Sequence, residues 1–261
     1  MEDKQKNMKA IFLFSEVLLS FLFTFTLKAQ SDPQAIQIVK LAEDQMRGNS
    51  SEAIISMTIV RPDYTRKISM KSWALGEKYG LTIITAPAKD KGMAFLKRDK
   101  EIWNWQPTID RTIKMPPSMM SQGWMGSDLT TEDLVRQNSI INDYIHKLLK
   151  GQTFQGIKCH VIELLPKTNA AVVWGKIILH ISEKDYLQYK AEFFDEDMEL
   201  VNTIIGAEPK TIGERKILSV MEIIPRNKPN QKTIFTYDKI TFDIPMKESF
   251  YSLQNLKKLK V

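Results

Sequence analysis

Apolar and polar residues alternate one for one along segment after segment of this chain. Ala53, Ile55, Met57 and Ile59 alternate with their neighbours, and so do Tyr79, Leu81 and Ile83. Ile177, Leu179 and Ile181 stand against Lys176, His180 and Ser182. Leu187, Tyr189, Ala191 and Phe193 enclose Gln188, Lys190 and Glu192, and Thr233, Phe235 and Tyr237 repeat the pattern. A period of two gives each strand one apolar and one wet face, the signature of an antiparallel sheet. Turn-forming runs separate the strands: Arg61-Pro62-Asp63, Leu75-Gly76-Glu77, Arg98-Asp99-Lys100, Asp195-Glu196-Asp197 and Arg226 to Asn230. The spacing predicts roughly ten strands in a meandering sheet.

Two stretches depart from that period. Ala35, Ile38, Val39, Ala42 and Met46 fall on one helical face. Ser31 or Asp32 can cap that helix, Pro33 occupies its first turn and Gly48 ends it. The segment Met115 to Gly126 has neither period; two prolines, two glycines, four methionines and Trp124 oppose regular packing. Thr130 or Thr131 can then cap a short helix through Glu132, Asp133, Leu134 and Val135. No internal repeat, linker or change of composition divides the chain. The expected architecture is mainly β: one strongly curved antiparallel sheet, a half β-barrel, with helices covering its concave side.

The N-terminus carries Lys4, Lys6 and Lys9, an apolar run from Ala10 to Leu27, and Ala29 before Gln30. That order reads as a secretory signal over residues 1–29, with the working domain over 30–261. Glu16 interrupts the run, Leu27 replaces a smaller residue near the cleavage site, and Met8 offers a second start. Glu16 would be costly in lipid, which weighs against a retained anchor. Export of this kind places the mature chain in the periplasm. The single cysteine, Cys159, rules out an intramolecular disulfide and stands away from the new N-terminus, so the mature chain carries no N-terminal lipidation site. The net charge of +6 mixes 37 basic with 31 acidic residues and contains no long basic run. This reads first as an ordinary soluble mixed-charge surface; the basic excess would suit anionic membranes or acidic partners, and export argues against nucleic acid.

Catalytic patterns are scarce. His146, His160 and His180 sit in separate predicted strands without a metal-spaced partner, and His180 falls on a polar strand face. There is no Gly-x-Ser-x-Gly elbow and no phosphate loop. Cys159 reads as a small core residue. Asp195-Glu196-Asp197 reads as a hairpin turn, since a calcium loop is longer and bends at glycine. Ser127-Asp128 and Glu132-Asp133 read as carboxylates complementing a helix start. No metal, cofactor or enzymatic function is expected.

The distinctive residues are apolar. Trp103 and Trp105 share one strand face, Phe95 lies on the neighbouring strand, and Met115, Met119, Met120, Trp124 and Met125 follow in the irregular segment. Methionine adapts to varied apolar partners. These eight residues are candidates for the wall or flap of a hydrophobic cavity, the alternative being core filling beneath a long loop. At about 0.8 kcal/mol per methylene, a C16 chain offers roughly 12 kcal/mol before ordering costs.

Several blocks then resemble a known family: Pro87 to Leu96 with Lys91-Gly92, Trp103-Asn104-Trp105-Gln106-Pro107, Met125 to Leu134, Gly156 to His160, and Lys190 to Asp195. Their order and spacing, over Ala35 to Leu256, resemble the LolA-like outer-membrane lipoprotein-sorting proteins. The resemblance implies an unclosed barrel of about eleven strands with a helical lid. It also implies a monomeric periplasmic carrier for lipid or acylated lipoprotein cargo, working with inner-membrane transport machinery. Lipid sensing or binding of a membrane-protein partner is the alternative use of such a fold.

Overall fold

A computed structural model describes residues 30–99, 101–131, 133 and 139–259. The expected signal, residues 1–29, lies outside these, as do Glu132, Leu134 and Val135 of the expected short helix.

The alternating segments form one thirteen-stranded sheet. Its first half comprises β1 (Ser50–Val60), β2 (Thr65–Leu75), β3 (Tyr79–Ala86), β4 (Ala94–Arg98), β5 (Glu101–Gln106) and β6 (Arg111–Lys114). The second half comprises β7 (Tyr144–Phe154), β8 (Ile157–Pro166), β9 (Lys176–Ser182), β10 (Gln188–Phe194), β11 (Leu200–Ile212), β12 (Arg215–Pro225) and β13 (Lys232–Phe242). Every strand pairs antiparallel with its neighbour in sequence except across the β6–β7 interval, and β1 also pairs with β13. The winding is therefore that of a barrel with one seam left open between β6 and β7, its two edges. Thirteen strands form rather than about eleven. The four-residue β6 is too short to show a period, and β11 and β12 lack clean alternation.

The concave face follows the sequence period. Along β1, Ala53, Ile55, Met57 and Ile59 are buried, whereas Ile54 between them is 43% exposed. The first helix, α1 (Pro33–Arg47), covers this face on the side of the later strands. Asp32 caps it, accepting from the backbone N–H of Gln34 at 2.8 Å and Ala35 at 3.4 Å. At the other end, Gly48 takes a positive φ of 65° to close it. Ala35, Ile38, Val39 and Ala42 pack into the same core as Ile162 and Leu164 of β8 and Ile177 and Leu179 of β9. The start of α1 is also tied to β7: Asp32 N–H donates to the His146 carbonyl at 2.8 Å, and Ser31 Oγ accepts from the His146 N–H at 3.1 Å. A second helical turn, α2 (Ser139–Asn142), leads into β7.

The convex face is less wet than alternation predicts. The C-terminal helix, α3 (Leu253–Lys258), lies over β4 and β5. Tyr251 and Leu256 pack there with Leu81, Ile83, Leu96 and Trp105. Strand β3 is consequently buried from both sides, with Leu81 and Ile84 both at 0% exposure. His180 keeps the outer side that the strand period assigns it, and there it is packed rather than solvated. It is buried on the outer side of β9, near the Phe154 ring and 3.5 Å from Glu192 Oε2. Burial pushes its imidazole pKa below the ordinary value, ahead of the opposing pull of Glu192. The Asp195 turn is a hairpin, its Oδ1 accepting from the N–H groups of Asp197 and Glu199.

Asp32→Ala removes the cap of α1. The expected cost is about 1 kcal/mol, read as a fall in Tm of about 2–4 °C for a chain of this size.

Candidate functional site

Between α1 and the concave face lies a cavity of about 350 Å³, within the range of about 300–1,000 Å³ usual for small-molecule sites. Its position along the strands is decided by β1. Ala53 and Ile55 line it, whereas Met57 and Ile59, further along the same face, pack with Trp124 and Leu129. The last two come from the irregular segment between β6 and β7. That segment folds inward and fills one end of the half-barrel, leaving the other end hollow. Trp124 forms the floor, its ring edge-on to Phe95 with centroids 5.2 Å apart.

The opposite end is the mouth. It lies where α1 ends and the β2–β3 turn folds back, the Gly76 N–H donating to the Asn49 carbonyl at 2.8 Å. Ala42 and Met46 of α1 present apolar surface to the cavity, beside Glu43 and Arg47. The Glu43–Arg47 ion pair is 2.6 Å long and largely withdrawn from solvent, with side-chain exposures of 19% and 14%. Burial pushes the Glu43 carboxyl above its ordinary pKa, more than Arg47 pulls it down.

The inward-folded segment is held by charge. Arg61, at the β1–β2 turn, donates to Asp128 Oδ2 at 2.9 Å and to the Gly126 carbonyl at 2.8 Å. Thr233 Oγ1 of β13 donates to the same Asp128 oxygen at 2.7 Å and accepts from the Asp128 N–H at 3.0 Å. Asn202 of β11 donates to the Asp128 carbonyl at 3.0 Å. Asp128 is 2% exposed and Arg61 13%. Asp128 is thus half of a buried ion pair and not a helix-start carboxylate as the sequence suggested, because its partners come from the distant β1–β2 turn and from β13 and β11. Arg66 adds a second clamp, donating to the Met125 carbonyl at 3.3 Å and to Asp90 Oδ2 at 2.5 Å.

Beyond Asp128 the expected cap is present. Thr130 N–H donates to Asp133 Oδ2 at 2.7 Å, and Asp133 N–H donates to Thr130 Oγ1 at 3.1 Å, a reciprocal capping box. Asp133 also accepts from Trp174 Nε1 at 2.8 Å, and burial pushes its carboxyl pKa up. Among the described residues there is no group of three metal-ligating side chains, and no helix is long and apolar enough to cross a membrane.

A family model described as "Uncharacterized protein" matches residues 76–258. The chain belongs to that family. No curated protein matches the sequence. Solved structures match over nearly their whole length. One is a domain from Vibrio parahaemolyticus assigned to outer membrane lipoprotein sorting, with 22% identity, TM-score 0.77, and coverage of 86% of this chain and 98% of that one. A LolA superfamily protein from Nitrosomonas europaea matches at 19% identity and TM-score 0.74, covering 85% and 98%. A DUF1329 family protein from Desulfovibrio piger matches at 17% identity and TM-score 0.80, covering 87% and 99%. The fold is LolA-like.

Within this LolA-like sheet the eight residues singled out by sequence divide. Phe95 and Trp124 line the cavity. Trp103 and Trp105 point to the outer face, into the cluster under α3, with Lys257 Nζ 5.3 Å above the Trp105 ring. Met115 follows β6, its N–H donating to the Ile102 carbonyl. Met119 is half-buried and Met120 buried, and neither lines the cavity. Met125 is half-buried against the core that holds Trp124. Glu43, Arg47 and the Arg61–Asp128 pair escaped the sequence reading. Their spacing of four, each one position after Ala42 and Met46 of the apolar stripe, was the one signal that could have found the first two.

Asp128→Ala leaves Arg61 buried without its partner and is expected to cost about 3–5 kcal/mol in chemical denaturation. Replacing both, Arg61→Met with Asp128→Leu, is expected to cost less than Asp128→Ala alone, because no unpaired charge remains.

Proposed function

We propose that this chain is an exported, non-enzymatic carrier that holds an acyl chain of a lipid or lipoprotein in the cavity under α1 and conveys it across the periplasm toward the outer membrane. The observation that carries this reading is the hollow itself. A closed protein core of this size is packed to crystal density, yet here an apolar space remains between α1 and the sheet, floored by Trp124 and walled by Ala53, Ile55 and Phe235. The free energy of filling it comes from methylenes leaving water, which requires no catalytic group. The fold supports the same reading, since it is shared with a domain assigned to outer membrane lipoprotein sorting. Export rests on the basic, apolar and small-residue order of residues 1–29.

Ala53→Phe places a ring in the cavity from the centre of β1. Overpacking is expected to cost about 1–3 kcal/mol and leave a folded protein. Uptake of a fluorescent C16 acyl probe is expected to fall about tenfold or more, at 1.4 kcal/mol per decade. Unchanged uptake by the folded variant would place the acyl site elsewhere.

A further inference from the structure

Five charged residues line the cavity. Glu43, Arg47 and Glu77 stand at the mouth beside the β2–β3 turn, with Lys97 of β4 opposite Gly80 on the same side, while Asp133 is held by Trp174 and Thr130 away from it. An Arg–Glu pair at i, i+4 on a helix is ordinarily solvated and adds little. This one is turned inward, its two ends mostly covered, with the Tyr237 ring close enough to feel both charges. The partners are unequal. Arginine stays charged in any protein environment. Glu43 is a weak counter-ion, because burial already favours its protonated form and the neighbouring Asp44 and Glu77 repel its charge. A guanidinium at the rim of an apolar hollow is therefore paired with a carboxylate whose charge burial disfavours.

That arrangement is complementary to an amphiphile. One end of the occupant is aliphatic, to fill the space between Trp124 and Met46. The other end is a planar or tetrahedral anion that a guanidinium fork can grip through two hydrogen bonds. We infer that Arg47 is the head-group site of the cavity, taking the single carboxylate or phosphate of a one-chain amphiphile and releasing Glu43 as it does so. This rests on the acyl-carrier reading and narrows it. At the mouth two carboxylates, Glu43 and Glu77, stand against two cations, Arg47 and Lys97, a balance that favours a head group of low charge. A cavity of about 350 Å³ lies near the lower end of the ligand-site range of about 300–1,000 Å³, which suits one chain rather than several.

The test compares three probes on delipidated full-length protein by titration calorimetry: palmitate, palmitoyl lysophosphatidate and uncharged monopalmitoylglycerol. Both anionic probes are expected to bind about tenfold or more tightly than the uncharged one, the usual scale of a hydrogen-bonded charge pair. Arg47→Gln is expected to weaken both anionic probes about tenfold more than monopalmitoylglycerol, whose retained binding also shows that the variant folds. Arg47→Lys is expected to keep part of the preference, and Glu43→Gln to tighten both anionic probes. A preference confined to palmitate or to lysophosphatidate identifies the head group as carboxylate or phosphate. Equal affinity for all three probes, or equal weakening of all three by Arg47→Gln, overturns the head-group assignment while leaving the cavity. Failure of every probe to bind overturns the carrier reading beneath it.

Discussion

A curved sheet that does not close into a barrel must find something other than its own strands to fill its concave side. Here β6 and β7 are the unpaired edges, and the chain between them carries no strand period. An unfilled interior would expose the apolar residues of β1, β2, β12 and β13 to water at about 25 cal/mol per Å². Two elements do the filling. The α1 helix covers the side of the later strands, and the 115–131 segment folds inward with Trp124 and Leu129 against β1 and β2. They do not meet fully, and the cavity is the space left between them.

The inward segment is not held by apolar contact alone. Its Asp128 sits between Arg61, Thr233 and Asn202, which belong to the β1–β2 turn, β13 and β11. A buried ion pair adds little net stability over a well-packed apolar pair, but it penalises every arrangement that leaves one charge alone. The consequence is positional: Trp124 is set as the floor at one depth along the strands, and the length of the hollow above it follows. Geometry at the floor is thus specified by polar contacts, and the energy of occupancy by apolar ones.

Local features were legible from residues alone. The alternation of Ala53, Ile55, Met57 and Ile59, the Asp32 cap, the Thr130 capping box and the turn at Asp195 all appear where short-range rules place them. Long-range features were not. Period two says that Trp103 and Trp105 share a face, but which face is decided by α3, whose residues lie far along the chain and add a second core on the outside of β3 to β5. His180 lies on the face its period assigns, but its burial there, beside Phe154 of β7, depends on neighbours the strand pattern does not reveal. The Asp128–Arg61 pair joins residues 67 positions apart, and no local pattern distinguishes it from a helix-start carboxylate. The resemblance to LolA-like proteins supplied the fold, yet neither it nor the periodicity located the mouth at Glu43 and Arg47.

The central claim is that the hollow under α1 is an acyl site rather than a packing defect. The most direct measurement is native mass spectrometry of protein secreted into a periplasm and purified without detergent, followed by organic extraction of the same sample. The account predicts a near-stoichiometric added mass, released by solvent and identified as a lipid or acyl species. A clean protein mass with an empty extract, together with no uptake of added acyl chains, would contradict it.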